Sequence, residues 1–122
     1  FVFQRWQKET EIDDLLSFDI GLMPLVEDPW AKGKCGFKAL QYMALGIPPV
    51  VSPVGVNTDI VEDHHNGYLA QTEEAWVDRL SALIDDAHLR HLLGARGRQK
   101  VAANYSVQSQ RERYLDMIRA LE

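Results

Sequence analysis

The sequence predicts an α/β fold, a Rossmann-like three-layer arrangement around a parallel sheet, followed by a helical C-terminal tail. Over residues 1–71, short apolar segments alternate with helical segments, which is typical of parallel strands joined by crossover helices. From residue 72 onward, apolar residues recur only at helical spacing. We therefore expect a single domain over residues 1–122, with an α/β part at 1–71 and a helical part at 72–122.

Residues 1–24 are expected to form a strand, a helix and a second strand. Phe1–Phe3 is a short apolar segment that favours a strand. Thr10 is a candidate N-cap for a helix that ends near Ser17, and acidic residues in its first turn suit the helix dipole. The continuous apolar segment at 20–24 is then typical of a strand buried on both faces.

A loop over residues 25–35 leads into the remaining elements of the α/β part. The helix that follows it is predicted to end at a glycine and a proline, which commonly terminate helices. The predicted elements are a helix from Gly36 to about Leu45, a strand at Val50–Val51, a short helix through Val61 capped by Asn57 or Thr58, a turn at residues 64–67 and a strand at Tyr68–Ala70.

The helical part contains three groups of apolar residues at helical spacing. Each group is predicted to be the face with which a helix packs against its neighbours. Ser106 is a candidate N-cap for the last helix. The three faces are Trp76, Leu80, Leu83, Ile84 and Ala87, then Leu89, Leu92 and Leu93, then Tyr114, Leu115, Ile118 and Leu121.

Composition argues against several classes of function. The chain has 122 residues, 46% apolar and 25% charged, and its net charge of −5 is opposite to the positive field that nucleic-acid binding needs. No apolar segment approaches the roughly 20 residues that span a bilayer. Cys35 is the only cysteine, so no internal disulfide forms, which favours a reducing compartment. Because the chain begins with Phe1 rather than Met, we expect a piece of a longer protein.

The start of the helix at residue 36 is the best candidate for a binding site. Two glycines and two lysines surround it: Gly33, Lys34, Gly36 and Lys38. A helix N-terminus binds anions through its free N–H groups, and glycine lets a ligand approach the backbone closely. Lys38 opposes the helix dipole, a conflict that a bound phosphate removes. The alternative stays open that Gly36 only starts the helix and Lys38 points into water.

Helical spacing also predicts which sides of this helix are buried. Successive residues of an α-helix are rotated by about 100° around its axis, and this spacing divides the residues of the helix into an apolar side and a narrow polar stripe. The side expected to be buried holds Phe37, Leu40, Met43 and Ala44. The opposite side, expected to face solvent or a ligand, holds Lys38, Gln41 and Tyr42, with Leu45 among them.

Residues 36–48, which read GFKALQYMALGIP, resemble the donor-site helix of GT-B-fold glycosyltransferases of family four. In that family the segment typically reads Glu-Gly-Phe-Gly-x-x-x-x-Glu-Ala-Met-Ala-x-Gly-x-Pro. Residues 52–61 and 66–69 are similar to the family's next segment, and the likeness extends over nearly the whole chain. The resemblance implies the donor-binding C-terminal domain of a two-domain enzyme, truncated here on its N-terminal side.

Two positions depart from the family pattern. The resemblance aligns Gln41 with the second glutamate of the family's pair, which lies near the nucleotide ribose, and Gly33 with the first, which lies near the donor sugar. Gln41 can still exchange hydrogen bonds with a ribose hydroxyl, whereas Gly33 cannot replace a carboxylate. The chain has Lys34 and Lys38 instead, a Gly-Lys-x-x-x-Lys version of the loop that looks like a recurring subtype.

The resemblance implies an activity and a set of binding residues. The enzyme would be a retaining glycosyltransferase that moves a sugar from a nucleotide sugar to an acceptor hydroxyl, in cell-surface polysaccharide or glycolipid synthesis. It would need no metal and no cofactor, and it would work in the cytoplasm or at the inner face of the membrane. The acceptor domain would precede this chain, so the fragment alone would be inactive. The residues implied to bind the donor are Gly33, Lys34, Cys35, Gly36, Phe37, Lys38 and Gln41, and no catalytic residue is assigned.

Other functions remain open. Loss of both glutamates is compatible with a non-catalytic module that keeps the fold and binds nucleotide or phosphate. An α/β signalling domain is disfavoured, because such domains place acids at strand ends where this chain has Pro24 and Pro53. His64 and His65 could indicate a metal, but a solvated turn explains them more simply.

Several further residues have two interpretations each. Cys35 could be a nucleophile, but no base partner is evident and a small loop residue is the simpler interpretation. Trp30 either covers the donor site or anchors its loop. The basic stretch, Arg90, Arg96, Arg98 and Lys100, is either a solvated helix face or a contact with anionic lipid. If strands are missing, an open sheet edge should also cause self-association.

Overall fold

The computed structural model describes residues 2–26 and 36–121, and it confirms the predicted α/β fold. Its sheet has three parallel strands in the order β1 (Gly21–Met23), β2 (Pro49–Val51) and β3 (Tyr68–Leu69). Parallel strands require crossover connections, which the helices of the first half supply. The helices are α1 (Glu11–Leu16), α2 (Phe37–Ala44), α3 (Asn57–Ile60), α4 (Glu73–Asp85), α5 (Ala87–Asn104) and α6 (Val107–Arg119).

Strand β2 lies at the centre of the sheet and carries the core on both of its faces. Val50 and Val51 are adjacent in a strand, so their side chains point in opposite directions, and both are fully buried. Val51 packs in a cluster with Met43 of α2. Val50 packs in a second cluster with Leu83 of α4 and Leu93 of α5. The sheet is thus covered by helices on both sides, as the three-layer prediction requires.

Strand β1 lies at the edge of the sheet and differs from the prediction that it is buried on both faces. The side chain of Leu22 is 45% exposed, because no further strand pairs with β1 among the described residues. Gly21 is buried beneath the ring of Tyr42, and a Cβ at Gly21 would overlap that ring. The prediction is therefore wrong for Leu22 and right for Gly21.

The predicted strand at Phe1–Phe3 is absent from the part of this segment that the structure describes. Val2 and Phe3 are 90% and 84% exposed and belong to no strand, while Phe1 lies outside the described residues. A strand needs a hydrogen-bonded neighbour, and these two residues have none in the described chain. Apolar composition alone predicted the strand wrongly.

Helices α2 and α5 approach each other closely through glycine. A Cβ added at Gly94 of α5 would overlap the carbonyl group of Gly46, just beyond α2. A Cβ at Gly97, one turn further along α5, would lie 3.2 Å from Cγ of Met43. The left-handed backbone of Gly46, with φ of 74°, ends α2 and turns its carbonyl toward α5.

The helix starts show which predicted caps form. Ser106 caps α6 as predicted, since its hydroxyl accepts a hydrogen bond from the backbone N–H of Ser109 at 3.0 Å. Thr10 precedes α1, but its hydroxyl donates to the Asp14 carboxylate instead of accepting from the backbone. At α3 both candidates donate to backbone carbonyls, Asn57 to Ser52 and Thr58 to Gly55, so neither is a cap.

The predicted apolar face of α6 forms, but it is not buried. Tyr114, Ile118 and Leu121 are 60%, 57% and 87% exposed, and α6 has no buried residue. Ile84 on α4 is similarly 65% exposed, whereas Leu83 beside it is fully buried. Helical spacing predicted the side on which these residues lie, but burial also depends on a packing partner.

Candidate functional site

The candidate site begins at Gly36, the residue before α2. Its backbone is left-handed, with φ of 68°, and it makes no side-chain cap. A Cβ at Gly36 would overlap Cδ1 of Ile60 and lie 3.2 Å from Oδ1 of Asn57, both on α3. Glycine therefore suits the conformation and also lets the start of α2 pack against α3. The predicted helix start at Gly36 is confirmed.

The first turn of α2 offers donors and a positive charge to an anion. It contains no acidic residue, and the first intrahelical hydrogen bond runs from the Leu40 N–H to the Gly36 carbonyl at 3.1 Å. The N–H groups of residues 37–39 therefore precede the intrahelical ladder, and no side chain within residues 2–26 and 36–121 caps them. Lys38 is exposed in this turn. These features are those that bind phosphate at helix N-termini.

The buried side of α2 differs from the predicted one. Ala39, Tyr42 and Met43 are buried, whereas Phe37 is 62% exposed. Tyr42 was predicted to lie in the polar stripe, but its ring packs over Gly21 and its hydroxyl donates to the Leu22 carbonyl at 3.0 Å. Burial disfavours the charged phenolate and so raises the pKa of the Tyr42 hydroxyl.

Gln41 contacts a residue that the sequence analysis did not connect with the site. Its Nε2 donates to Oε1 of Glu11, the first residue of α1, at 3.1 Å. The other amide atom, Oε1, is buried and has no hydrogen-bond partner among the residues described. Because Glu11 and Gln41 are far apart in sequence, only the docking of α1 against α2 brings them together.

Glu11 and Lys38 line a common cleft of about 500 Å³. The cleft lies between residues 2–6, helix α1 and helix α2. Its lining includes cations, carboxylates and aromatic rings: Arg5, Trp6, Glu11, Asp14, Lys38 and Tyr42. An aromatic side chain with two cations and two carboxylates can hold a ligand that is part anion, part ring and part hydroxyl. Sequence reasoning missed Arg5, Trp6 and Glu11, since no local pattern distinguishes them.

The structure describes only part of the predicted donor-binding set. Gly36, Phe37, Lys38 and Gln41 lie together on the first two turns of α2 or just before it. Gly33, Lys34 and Cys35 fall outside the described residues, as does Trp30. The contribution of these four residues to the site stays a prediction.

His64 and His65 lie on the predicted turn. The Nε2 atom of His64 is 3.6 Å from the Asp63 carboxylate, and that of His65 is 3.9 Å from the Glu62 carboxylate. Both histidine side chains are exposed. Within residues 2–26 and 36–121, no group of three or more potential metal ligands comes together.

Three residues of the basic stretch make contacts within the domain. Arg90 donates to the carbonyls of Leu83 and Ile84, at the end of α4, at 2.6 and 3.1 Å. Lys100 donates to the Asp59 carbonyl within α3 at 2.8 Å, and Arg96 donates to the His65 carbonyl, beyond α3, at 3.3 Å. These contacts favour a structural role over lipid binding. None of the described helices is long and apolar enough to cross a membrane.

A comparison with known protein families shows to which family the chain belongs. Residues 3–100 match the family described as "Glycosyl transferases group 1". The chain belongs to this family. The sequence resemblance to glycosyltransferases is thereby confirmed at the level of the group 1 glycosyl transferases, and a search of curated protein sequences gives no match.

Two solved structures show the same fold as this group 1 glycosyl transferase domain. The C-terminal domain of a glycosyl transferase group 1 family protein from Francisella tularensis is 24% identical, with a TM-score of 0.75, and covers 88% of this chain. Sucrose-phosphate synthase from Thermosynechococcus elongatus is also 24% identical, with a TM-score of 0.73, and covers 84%. The chain spans 54% of the first structure and 25% of the second. These neighbours support the Rossmann-like GT-B architecture of the fold.

Proposed function

We propose that this chain is the donor-binding part of a retaining, family-four type glycosyltransferase that uses a nucleotide sugar. The observation that carries the proposal is the start of α2, where no side chain of the described residues caps the helix, Lys38 is exposed in the first turn and Gly36 precedes it. A cation at this end of a helix is unfavourable by a few tenths of a kcal/mol unless an anion is bound. The diphosphate of a nucleotide sugar supplies that anion.

The chemistry of sugar transfer explains why such a site is useful. The bond between the anomeric carbon and the diphosphate oxygen breaks, and the acceptor hydroxyl oxygen forms the new bond to that carbon while its proton passes to the departing diphosphate. Negative charge then grows on the departing diphosphate. Fixed N–H groups and lysines that face it stabilise this charge without a metal. We assign this task to Lys38, Lys34 and the free N–H groups at the start of α2.

The rest of the proposal concerns the whole protein. The acceptor domain would come from the part of the protein that precedes this chain, and the reaction would take place between the two domains. The fragment would then bind donor but not transfer sugar. Synthesis of a cell-surface polysaccharide or glycolipid, in the cytoplasm or at the inner face of the membrane, is the role that fits the family resemblance.

The binding half of the proposal is tested by amide NMR titration of this chain at low salt. UDP, GDP, dTDP and pyrophosphate are the ligands, and shifts are expected at residues 36–41. Lys38→Ala should abolish the shifts, while Arg111→Ala, which removes an exposed cation from α6, should leave them unchanged. Absence of shifts with all four ligands, in this chain and in the full-length parent, would overturn the proposal.

The catalytic half is tested by sugar transfer in the full-length parent. Lys38→Ala is expected to lower kcat by about a hundredfold, the size of effect seen when one group that stabilises a developing charge is removed. Background turnover with every nucleotide sugar, in a parent that still binds nucleoside diphosphates, would instead favour the non-catalytic binding module.

A further inference from the structure

The cleft between residues 2–6, α1 and α2 extends the proposed phosphate site in one direction. Lys38 belongs to both, because it lies in the first turn of α2 and also lines the cleft. Gln41 lies three residues further along the helix, which corresponds to about 4.5 Å along its axis. A ligand whose phosphate meets the start of α2 would therefore place its next group beside Gln41 and its partner Glu11.

The Glu11 carboxylate is hydrogen-bonded to Gln41 at this point. A carboxylate only accepts hydrogen bonds, so the hydrogen bond to Glu11 fixes which end of the Gln41 amide faces it. That contact, at 3.1 Å, uses Oε1 of Glu11. Among the described residues, Oε2 of Glu11 has no hydrogen-bond partner. Glu11 lines the cleft with a carboxylate that can still accept further hydrogen bonds.

We propose that Glu11 binds the ribose hydroxyls of the donor nucleotide and that Gln41 is the residue that positions it. Two neighbouring hydroxyls of a ribose match the two oxygens of one carboxylate, and hydrogen bonds to a charged acceptor are stronger than those to a neutral one. This inference rests on the proposed function, because it assumes that a nucleoside diphosphate occupies the site.

The remaining lining of the cleft fits the nucleoside end of such a ligand. Trp6 is 65% exposed and lines the same cleft, so its ring is available for a base to stack on. Arg5 beside it adds a second cation to Lys38. A cleft of about 500 Å³ is also large enough for a nucleoside. The ribose is therefore favoured over the transferred sugar as the group that Glu11 contacts.

The test compares matched ligands with and without ribose hydroxyls, in the full-length parent and by calorimetry. The ligands are UDP, GDP and ADP, their 2′,3′-dideoxy forms, UDP-glucose and pyrophosphate. Glu11→Gln keeps the size of the side chain and removes its charge. Glu11→Gln should raise the Kd of the nucleoside diphosphate that binds best by about tenfold, and it should change the Kd of the matching dideoxy form less than twofold. Lys38→Ala should weaken all bound ligands, pyrophosphate included.

Two further variants separate this role from a structural one. Asp13→Asn makes the same carboxylate-to-amide change on the same helix, at an exposed residue that does not line the cleft, and it should leave the hydroxyl-dependent difference intact. The exchange Glu11→Gln with Gln41→Glu keeps one carboxylate and one amide in contact, and it should restore part of the lost affinity. Thermal unfolding of each variant controls for changes in folding.

The outcomes distinguish this inference from the proposed function. Suppose that nucleoside diphosphates bind. If Glu11→Gln then lowers the affinity for the normal and dideoxy forms equally, or changes neither affinity, Glu11 does not bind ribose. If its effect appears only with a nucleotide sugar such as UDP-glucose and not with UDP, the carboxylate binds the transferred sugar and the ribose assignment is wrong. If no nucleoside diphosphate and no pyrophosphate binds, the proposed function itself fails.

Discussion

The two sides of the short helix α2 differ in their surroundings, because one packs against the rest of the domain and the other faces an open cleft. On one side Ala39 and Met43 are fully buried, and Met43 lies against Gly97 of α5. On the other side Lys38 is exposed and lines an open cleft. The packed side fixes the position of the helix, and the open side presents donors and charge. Substitutions on the two sides should therefore change different quantities, unfolding free energy on one and ligand affinity on the other.

The largest expected effect is on the packed side. Gly94→Ala should lower the free energy of unfolding by about 4 kcal/mol, because its Cβ would overlap a backbone carbonyl that cannot rotate away. Helix propensity alone predicts the opposite sign, a gain of up to about 1 kcal/mol. Urea denaturation monitored by circular dichroism measures the difference.

The matched control for this prediction is Gly97→Ala on the same helix. Its Cβ would meet the flexible side chain of Met43 at 3.2 Å, so a smaller loss of about 1 kcal/mol is expected. Equal denaturation midpoints for Gly94→Ala and the unsubstituted chain would show that α5 and α2 do not pack as described. Ligand affinity per folded molecule should be unchanged in both variants.

The comparison also explains what the sequence could predict. Strands β1, β2 and β3 and helices α1 to α6 lie close to where apolar segments, helical spacing and caps such as Ser106 predicted them. These signals are local. The burial of Tyr42 depends on Gly21, whose lack of a side chain makes room for the ring. That contact joins two elements, so the helical pattern of α2 alone assigned Tyr42 to the wrong side.

The candidate site divides in the same way between local and long-range signals. Gly36 and Lys38 were identified because a glycine and a lysine at a helix start have a physical meaning by themselves. Glu11 was predicted only as a favourable charge in the first turn of α1. Its contact with Gln41 depends on how α1 docks, which no spacing in the sequence encodes.

An effect of intermediate size is expected at Tyr42, which lies at the boundary between the two sides of α2. Tyr42→Phe removes the hydrogen bond to the Leu22 carbonyl and should lower stability by about 1 kcal/mol at pH 8. The raised pKa of Tyr42 means that folding favours the neutral phenol. The stabilisation that the neutral Tyr42 phenol gives to the folded state is therefore fully present below the unfolded pKa of 10.0, and it is lost as pH rises through the folded pKa.

This pH dependence can be measured against the phenylalanine variant, which lacks the titrating group. Denaturation midpoints are compared at pH 8 and pH 11, and the original chain should lose more stability over this interval than Tyr42→Phe does. An identical loss in both proteins would mean that Tyr42 is not buried as described. Every other residue is the same in both proteins, so the difference between the two losses reports on Tyr42 alone.

The smallest expected effect is on the open side and has the opposite sign. Without ligand, Lys38→Ala should raise the free energy of unfolding by about 0.3 kcal/mol, because it removes a cation from the positive end of the α2 dipole. The gain should shrink as salt is added, since screening weakens this repulsion. Lys38→Met, which removes the charge and keeps most of the side-chain length, separates the effect of charge from that of helix propensity.

With saturating pyrophosphate the original chain should become more stable than both variants, because it then gains binding free energy that the variants lack. Stability that falls in both variants without ligand would mean that Lys38 holds the fold together, and its assignment to the binding side of α2 would be wrong.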